Sequence, residues 1–362
     1  MDWQKIDPKM VAKSVKQPDN YAWLDPKEPP FRVSGLNWFS QDKRYIRFPA
    51  SSLPMLHDIS TGVEFLCTHP AGGQVAFETD AGEIIVAAKL AGVSDMHHFA
   101  ATGQCGIDCY AAYPGEDYRF ERVVTFDKSK NEYASPVFSG PAGVRKRIIL
   151  NLPLYIGLES LLIGIPHGSA VFAPAPFSSP RPLVFYGTSI TQGGCATRPG
   201  MLYTNIISRH FNREIFNYGF SGSGKGEPEV AKLISEVRDP AVYVINYEAN
   251  ADDSIRDTLA GFIGIIRKAH PAVPILVISR LHIQYELHIS KLKVRRDSLR
   301  DFQRECVAKL AAAGDPNIYF MDGRELLKHD PDECFVDGDH PTDLGFWQIA
   351  DALEPVLRRI IL

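Results

Sequence analysis

Along the first half of the chain, apolar residues come in short runs: Tyr45–Pro49, Gly62–Thr68, Gln74–Thr79, Glu83–Ala88, Tyr118–Phe126 and Arg147–Leu152. Gly, Pro, Asp and Asn punctuate them, and few stretches show a helical stripe. This spacing predicts short strands in an antiparallel, all-β sandwich or jelly roll. From Phe172 to Pro182 the chain holds four prolines, which predicts a stiff, extended connection.

Beyond it the rhythm changes. Leu183–Tyr186 is wholly apolar, as a buried parallel strand requires. Tyr203, Ile206, Ile207 and His210 fall at helical spacing; Ile215–Tyr218 and Val242–Tyr247 read as further strands. Ile255, Leu259, Phe262, Ile263 and Ile266 form a helical stripe behind Asp252 and Asp253, predicted N-caps. Ile275–Ser279 and Ile318–Met321 complete five strands. A last helix from about Asp343 is predicted to bury Leu344, Trp347, Leu353, Leu357 and Ile360. Alternating strand and helix implies a parallel sheet covered on both faces. The expectation is an N-terminal β-sandwich over residues 1–175 and a flavodoxin-like α/β domain with a five-stranded parallel sheet over 176–362.

Composition narrows the function classes. Of 362 residues, 45% are hydrophobic and 23% charged, so a buried core is expected rather than disorder. The net charge of −4, with no basic stripe, speaks against a nucleic-acid partner. The first twenty residues carry no apolar h-region and no run reaches the length of a membrane span, so neither a signal peptide nor a membrane partner is expected. Cys67, Cys105, Cys109, Cys195, Cys306 and Cys334 show no pairing or zinc-binding pattern, which predicts reduced thiols in a cytoplasmic protein.

Ligands of open parallel sheets bind beyond the carboxyl ends of the strands, so the segment leaving each strand matters most. After the first comes Gly187-Thr-Ser189-Ile-Thr191, after the second Gly219-Phe-Ser-Gly222-Ser-Gly224, and after the third Glu248-Ala-Asn250. Asp337-Gly-Asp-His340 precedes the last helix. A serine, glycine amides, a carboxamide and an Asp–His pair are the parts of an acyl-transfer site. Rival readings fit less well. Gly219 to Lys225 has the spacing of a phosphate-binding loop, but Gly226 stands where Ser or Thr should hold Mg²⁺. Asp337, Asp339 and His340, with Asp322, lack the further ligand that a metal site needs. His97-His98 reads as a strand pair of the sandwich. A non-catalytic carbohydrate-binding protein, using Trp38, Tyr110 or Tyr113 against sugar rings, is a further alternative.

These four blocks resemble those of the SGNH (GDSL-like) hydrolases. Gly187–Thr191 is similar to the first block, which carries a nucleophilic serine, and Asn217–Gly222 to the second, whose glycine donates its amide to the oxyanion. The third usually reads Gly-x-Asn-Asp; here Asn250 is kept, while Glu248 and Ala251 replace its neighbours. Gly106-Ile-Asp108-Cys-Tyr110 resembles the Gly-x-Asp-x-Tyr signature of a branch with an N-terminal sandwich. The resemblance implies Ser189 as nucleophile, His340 as general base and Asp337 as its orienting partner. It further implies an oxyanion hole from the Ser189 and Gly222 amides and the Asn250 carboxamide. It implies a serine esterase, with no cofactor or metal, acting on short acyl (acetyl) esters of a carbohydrate or another hydrophilic alcohol. Acyl transfer through the same intermediate is the alternative. Arg198, Tyr203 and Glu227 are candidate substrate contacts, and the oligomeric state is open, a homo-oligomer included.

Overall fold

The computed structural model describes residues 3–7, 11–12, 15, 17–283, 286 and 288–361. They form two compact units. One holds residues up to Ile46, Thr68–Pro176 and Thr197–Gly200; the other holds Arg47–Cys67, Phe177–Ala196 and Met201 onward.

The first unit contains β1 (Tyr21–Leu24), β2 (Arg32–Ser34), β3 (Gln74–Thr79), β4 (Glu83–Leu90) and β5 (Asp108–Ala112). It continues with β6 (Arg119–Val123), β7 (Glu132–Ser139), β8 (Lys146–Asn151), β9 (Leu158–Pro166) and β10 (Val171–Phe172). One sheet has the order β1-β9-β4-β7; the other runs β10-β3-β8-β5-β6, with β2 also on β3. Period-two alternation sorts the side chains. Val75, Phe77, Cys109, Ala111, Ile148 and Leu150 enter the main core with Ile84, Val86 and Ile163 from the other sheet. Their neighbours Ala76, Tyr110 and Ile149 cluster on the opposite face.

The second unit contains β11 (Leu183–Gly187), β12 (Ile215–Gly219), β13 (Val242–Asn246), β14 (Ile275–Ile278) and β15 (Ile318–Met321), all parallel, in the order β12-β11-β13-β14-β15. This is the flavodoxin-like order, in which the chain starts inside the sheet and reverses direction once. Helices Tyr203–Phe211 and Asp343–Ile361 pack together, as do Pro228–Ile234, Ile255–Ala269 and Ser290–Ala312.

Several expectations are corrected. The segment Gly62–Thr68 is not a strand: Thr61–Cys67 is a helix that buries Val63, Leu66 and Cys67, a helical rather than alternating spacing. Tyr45 makes only an isolated bridge to Leu158. Residues 47–67 belong to the α/β unit, so the chain does not divide simply near 175. There the Arg47 guanidinium donates to the Asn217 and Gly219 carbonyls of the edge strand β12 and, at 2.6 Å, to the Leu66 carbonyl. Phe48 stacks on Tyr218 at 5.0 Å. In the last helix Leu344 and Trp347 face solvent, and Phe346 and Ile349 are buried with Leu353, Leu357 and Ile360. Asp252 and Asp253 cap nothing with their side chains; Ser254 is the N-cap of the helix, and both carboxylates pair with Arg295. His97-His98 occupies a turn rather than a strand.

Candidate active site

The sheet sets the geometry. The segments after β11, β12 and β13 leave the carboxyl ends of parallel strands, and glycines let them touch, while Asp337–His340 lies just before the last helix. A Cβ at Gly187 would lie 2.2 Å from Thr191 Oγ1, and one at Gly219 would lie 2.1 Å from the Gln192 nitrogen. Only hydrogen fits at either position.

Ser189 opens a four-residue helix directly after β11 and is nearly buried. Its Oγ lies 3.0 Å from His340 Nε2, and His340 Nδ1 lies 2.8 Å from Asp337 Oδ2. Asp337 Oδ1 also accepts the backbone N–H groups of Asp339 (2.9 Å) and His340 (2.7 Å). Burial pushes the Asp337 carboxyl up. The His340 N–H, the imidazole and the Asp339 N–H outweigh it together and bring the carboxyl down to about 2. Asp337 is thus an anion able to orient the imidazole and offset its charge.

The loop after β12 reaches Gly222 with φ +64°, and no atom lies within 4 Å of where a Cβ would be. Gln192 Oε1 accepts the Ser221 N–H at 3.0 Å, tying this loop to the serine turn. Asn250 Nδ2 donates to the Phe220 carbonyl at 2.9 Å. A carboxamide nitrogen has two protons, so one stays available to a ligand. Burial first, then Asp337, pushes the thiol of Cys195 up to about 12, away from the thiolate form.

Residues 180–358 match the description "GDSL-like Lipase/Acylhydrolase family", and residues 21–171 match the N-terminus of SGNH-hydrolase-type esterases. Residues 180–358 therefore belong to the GDSL-like lipase/acylhydrolase family. A Bacteroides ovatus protein described as a GDSL-like lipase is 26% identical with a TM-score of 0.86, over 94% of this chain and 98% of its own. The salicylyl-acyltransferase SsfX3 of a tetracycline biosynthetic pathway is 19% identical with a TM-score of 0.73, over 94% and 98% of the two chains. A family two carbohydrate esterase of Clostridium thermocellum is 16% identical with a TM-score of 0.56, over 80% and 92%. The last two likenesses are of fold. No curated protein matches the sequence.

The three candidate substrate contacts are engaged by the protein itself. Arg198 belongs to the β-sandwich unit, where its Nη1 lies 2.9 Å from Asp108 and 2.7 Å from the Tyr110 hydroxyl. The Gly-x-Asp-x-Tyr signature is therefore structural at two positions. The buried Asp108 carboxylate also takes Asn151 Nδ2 (2.7 Å) and the Gly200 N–H (2.8 Å). Tyr203 is buried, with its hydroxyl 3.0 Å from Thr191 Oγ1. Glu227 accepts the Tyr186 hydroxyl at 2.9 Å and the Lys225 N–H at 3.2 Å. Trp38 and Tyr110, considered for sugar stacking, are buried. Sequence reasoning missed Gln192, Arg47 and Arg280, whose Nη2 lies 2.8 Å from Asp339 Oδ1. Arg280 had a signal, because Ser279-Arg280 follows the fourth strand at the same sheet edge as the other blocks.

Proposed function

We propose that the protein is a serine esterase that cleaves short acyl, in particular acetyl, esters of a carbohydrate or another hydrophilic alcohol. The observation that carries this reading is the 3.0 Å approach of Ser189 Oγ to His340 Nε2, with Asp337 2.8 Å from the far ring nitrogen. His340 takes the serine proton as Oγ attacks the ester carbonyl. The amides of Ser189 and Gly222 and the Asn250 carboxamide hold the oxyanion. Collapse of the tetrahedral species releases the alcohol, which receives the proton from His340. Water, deprotonated in turn by His340, then frees the acid and regenerates Ser189.

A hydrophilic alcohol is favoured because no amphipathic lid with a large apolar face stands out in the sequence. The fold shared with family two carbohydrate esterases is compatible with an oligosaccharide ester. The fold shared with SsfX3 keeps acyl transfer as the second reading, since an alcohol can resolve the same acyl-enzyme. All six cysteines are unbridged, which fits a reducing compartment such as the cytoplasm.

A panel of p-nitrophenyl esters of increasing acyl length, with acetylated xylo-oligosaccharides, tests the proposal on the wild type and Ser189→Ala. Turnover falling with chain length and abolished in Ser189→Ala is expected; equal turnover by both proteins overturns it. Adding a high concentration of acceptor alcohol separates the two fates, because a transferase passes the acyl group from the acyl-enzyme to the alcohol as a new ester, in place of the acid that water would release.

A further inference from the structure

Buried charges link the third block to the last one. Glu248 lies two residues before Asn250 and is 1% exposed. Its Oε2 accepts the Arg280 backbone N–H at 2.8 Å and Gln303 Nε2 at 2.7 Å. Arg280, just beyond β14 and 6% exposed, places Nη2 2.8 Å from Asp339 Oδ1. Asp339 in turn donates its backbone N–H to Asp337. An unbroken series of contacts therefore runs from the Asn250 helix through Glu248, Arg280, Asp339 and Asp337 to His340 and Ser189. Arg296 flanks it, 3.1 Å from Glu286 and 2.9 Å from Asp252.

The energetics separate position from stability. Desolvating a guanidinium is costly until its partners offset the loss. Asp339, the partner at the site, has a side chain 44% exposed, where an ion pair contributes little net stability. What this pair fixes is a short loop. Gly338, with φ +85°, turns the chain between Asp337 and Asp339. Asp337 to His340 lie outside the strands and helices: a bridge between Phe335 and Pro341 and the Val336 N–H on the His340 carbonyl (2.9 Å) close the loop at its base, and side chains tie its tip.

We propose that Arg280 is a positioning residue: by gripping Asp339 it keeps the Asp339 N–H on the Asp337 carboxylate, and so keeps the imidazole aimed at Ser189. The inference rests on the esterase reading above. Arg280 touches no reacting atom and acts through Asp339.

The test compares wild type, Ser189→Ala, Asp339→Ala, Asp339→Asn, Arg280→Met and the Asp339→Ala/Arg280→Met double variant. It follows kcat, KM, Tm and the rate of Ser189 labelling by a fluorophosphonate. Asp339→Ala should lower kcat and labelling by roughly tenfold to a hundredfold, since a misplaced catalytic group is costly, with KM and Tm nearly unchanged. Asp339→Asn keeps an oxygen for the guanidinium and should retain more activity. The double variant should be no slower than Arg280→Met, as expected of residues acting in series. If Arg280→Met does not fold, the two Asp339 variants decide the matter at a half-exposed position. Wild-type kcat in Asp339→Ala, or losses that multiply in the double variant, overturn the inference alone, provided Ser189→Ala is inactive. A wild type that neither turns over esters nor takes the label overturns the esterase reading and this inference with it.

Discussion

The side-chain amide of Asn250 donates to the carbonyl of Phe220 at 2.9 Å, two residues ahead of Gly222. One proton of the carboxamide thus fixes its orientation while the other remains for a ligand. Asn250→Ala should lower kcat by about 10²–10³, or ~3–4 kcal/mol, the usual effect of removing one oxyanion donor. Steady-state kinetics on a p-nitrophenyl acetate series will show this as a kcat effect with KM little moved. An equal rise in KM at constant kcat would assign Asn250 to ground-state binding instead.

Asp337 gives the pH behaviour its sign. Its carboxyl is held at about 2, below the ordinary 3.8, so it adds stability that is complete above the unfolded value and lost as pH falls toward 2. Asp337→Asn should therefore flatten the loss of stability between roughly pH 4 and 2, read by urea unfolding at each pH. Between roughly pH 5 and 8 Asp337 stays ionised, so it contributes no limb to the pH profile of kcat/KM there, and any acid limb should have at most unit slope. A slope of two would bring in a second essential group.

Gly219→Ala should be among the most damaging conservative changes. The new methyl would lie 2.1 Å from the Gln192 nitrogen and 2.5 Å from the Thr191 carbonyl carbon, both backbone atoms that cannot rotate away. Forced overpacking of this kind costs ~1–3 kcal/mol. Urea unfolding should show that loss, and activity should fall with it because the serine turn is displaced.

Tyr203→Phe separates support from substrate contact. The hydroxyl that it removes bonds Thr191 inside the fold. About 1 kcal/mol of stability should go, the net value of one hydrogen bond, with KM unchanged across the ester panel. A KM that rises for one class of alcohol would restore Tyr203 as a specificity residue.

The α/β half was the more legible in sequence because most of its strands are short, largely apolar runs buried at nearly every residue. β11, for example, is buried at all five residues. The candidate site was legible for the same reason, since fixed strand ends say which residues meet. The sandwich half was harder. Glu132–Ser139 and Leu158–Pro166 mix exposed and buried positions, with register shifts at Ile84/Ile85 and Lys89/Leu90 in their partner β4, so no clean alternation announces them. The roles of Arg47 and Arg280 were invisible for another reason: each depends on contacts with residues far away in sequence, and an isolated arginine reads as surface charge.

Membership of residues 47–67 in the α/β unit bears on how the protein can be taken apart. A gene fragment starting at residue 176 would encode all five parallel strands, yet leave the outer flank of β12 without the guanidinium that occupies its carbonyls. Bare strand flanks recruit one another, so such a fragment should self-associate and come out of solution. Supplying residues 47–67 as a separate peptide would be the natural way to rescue it.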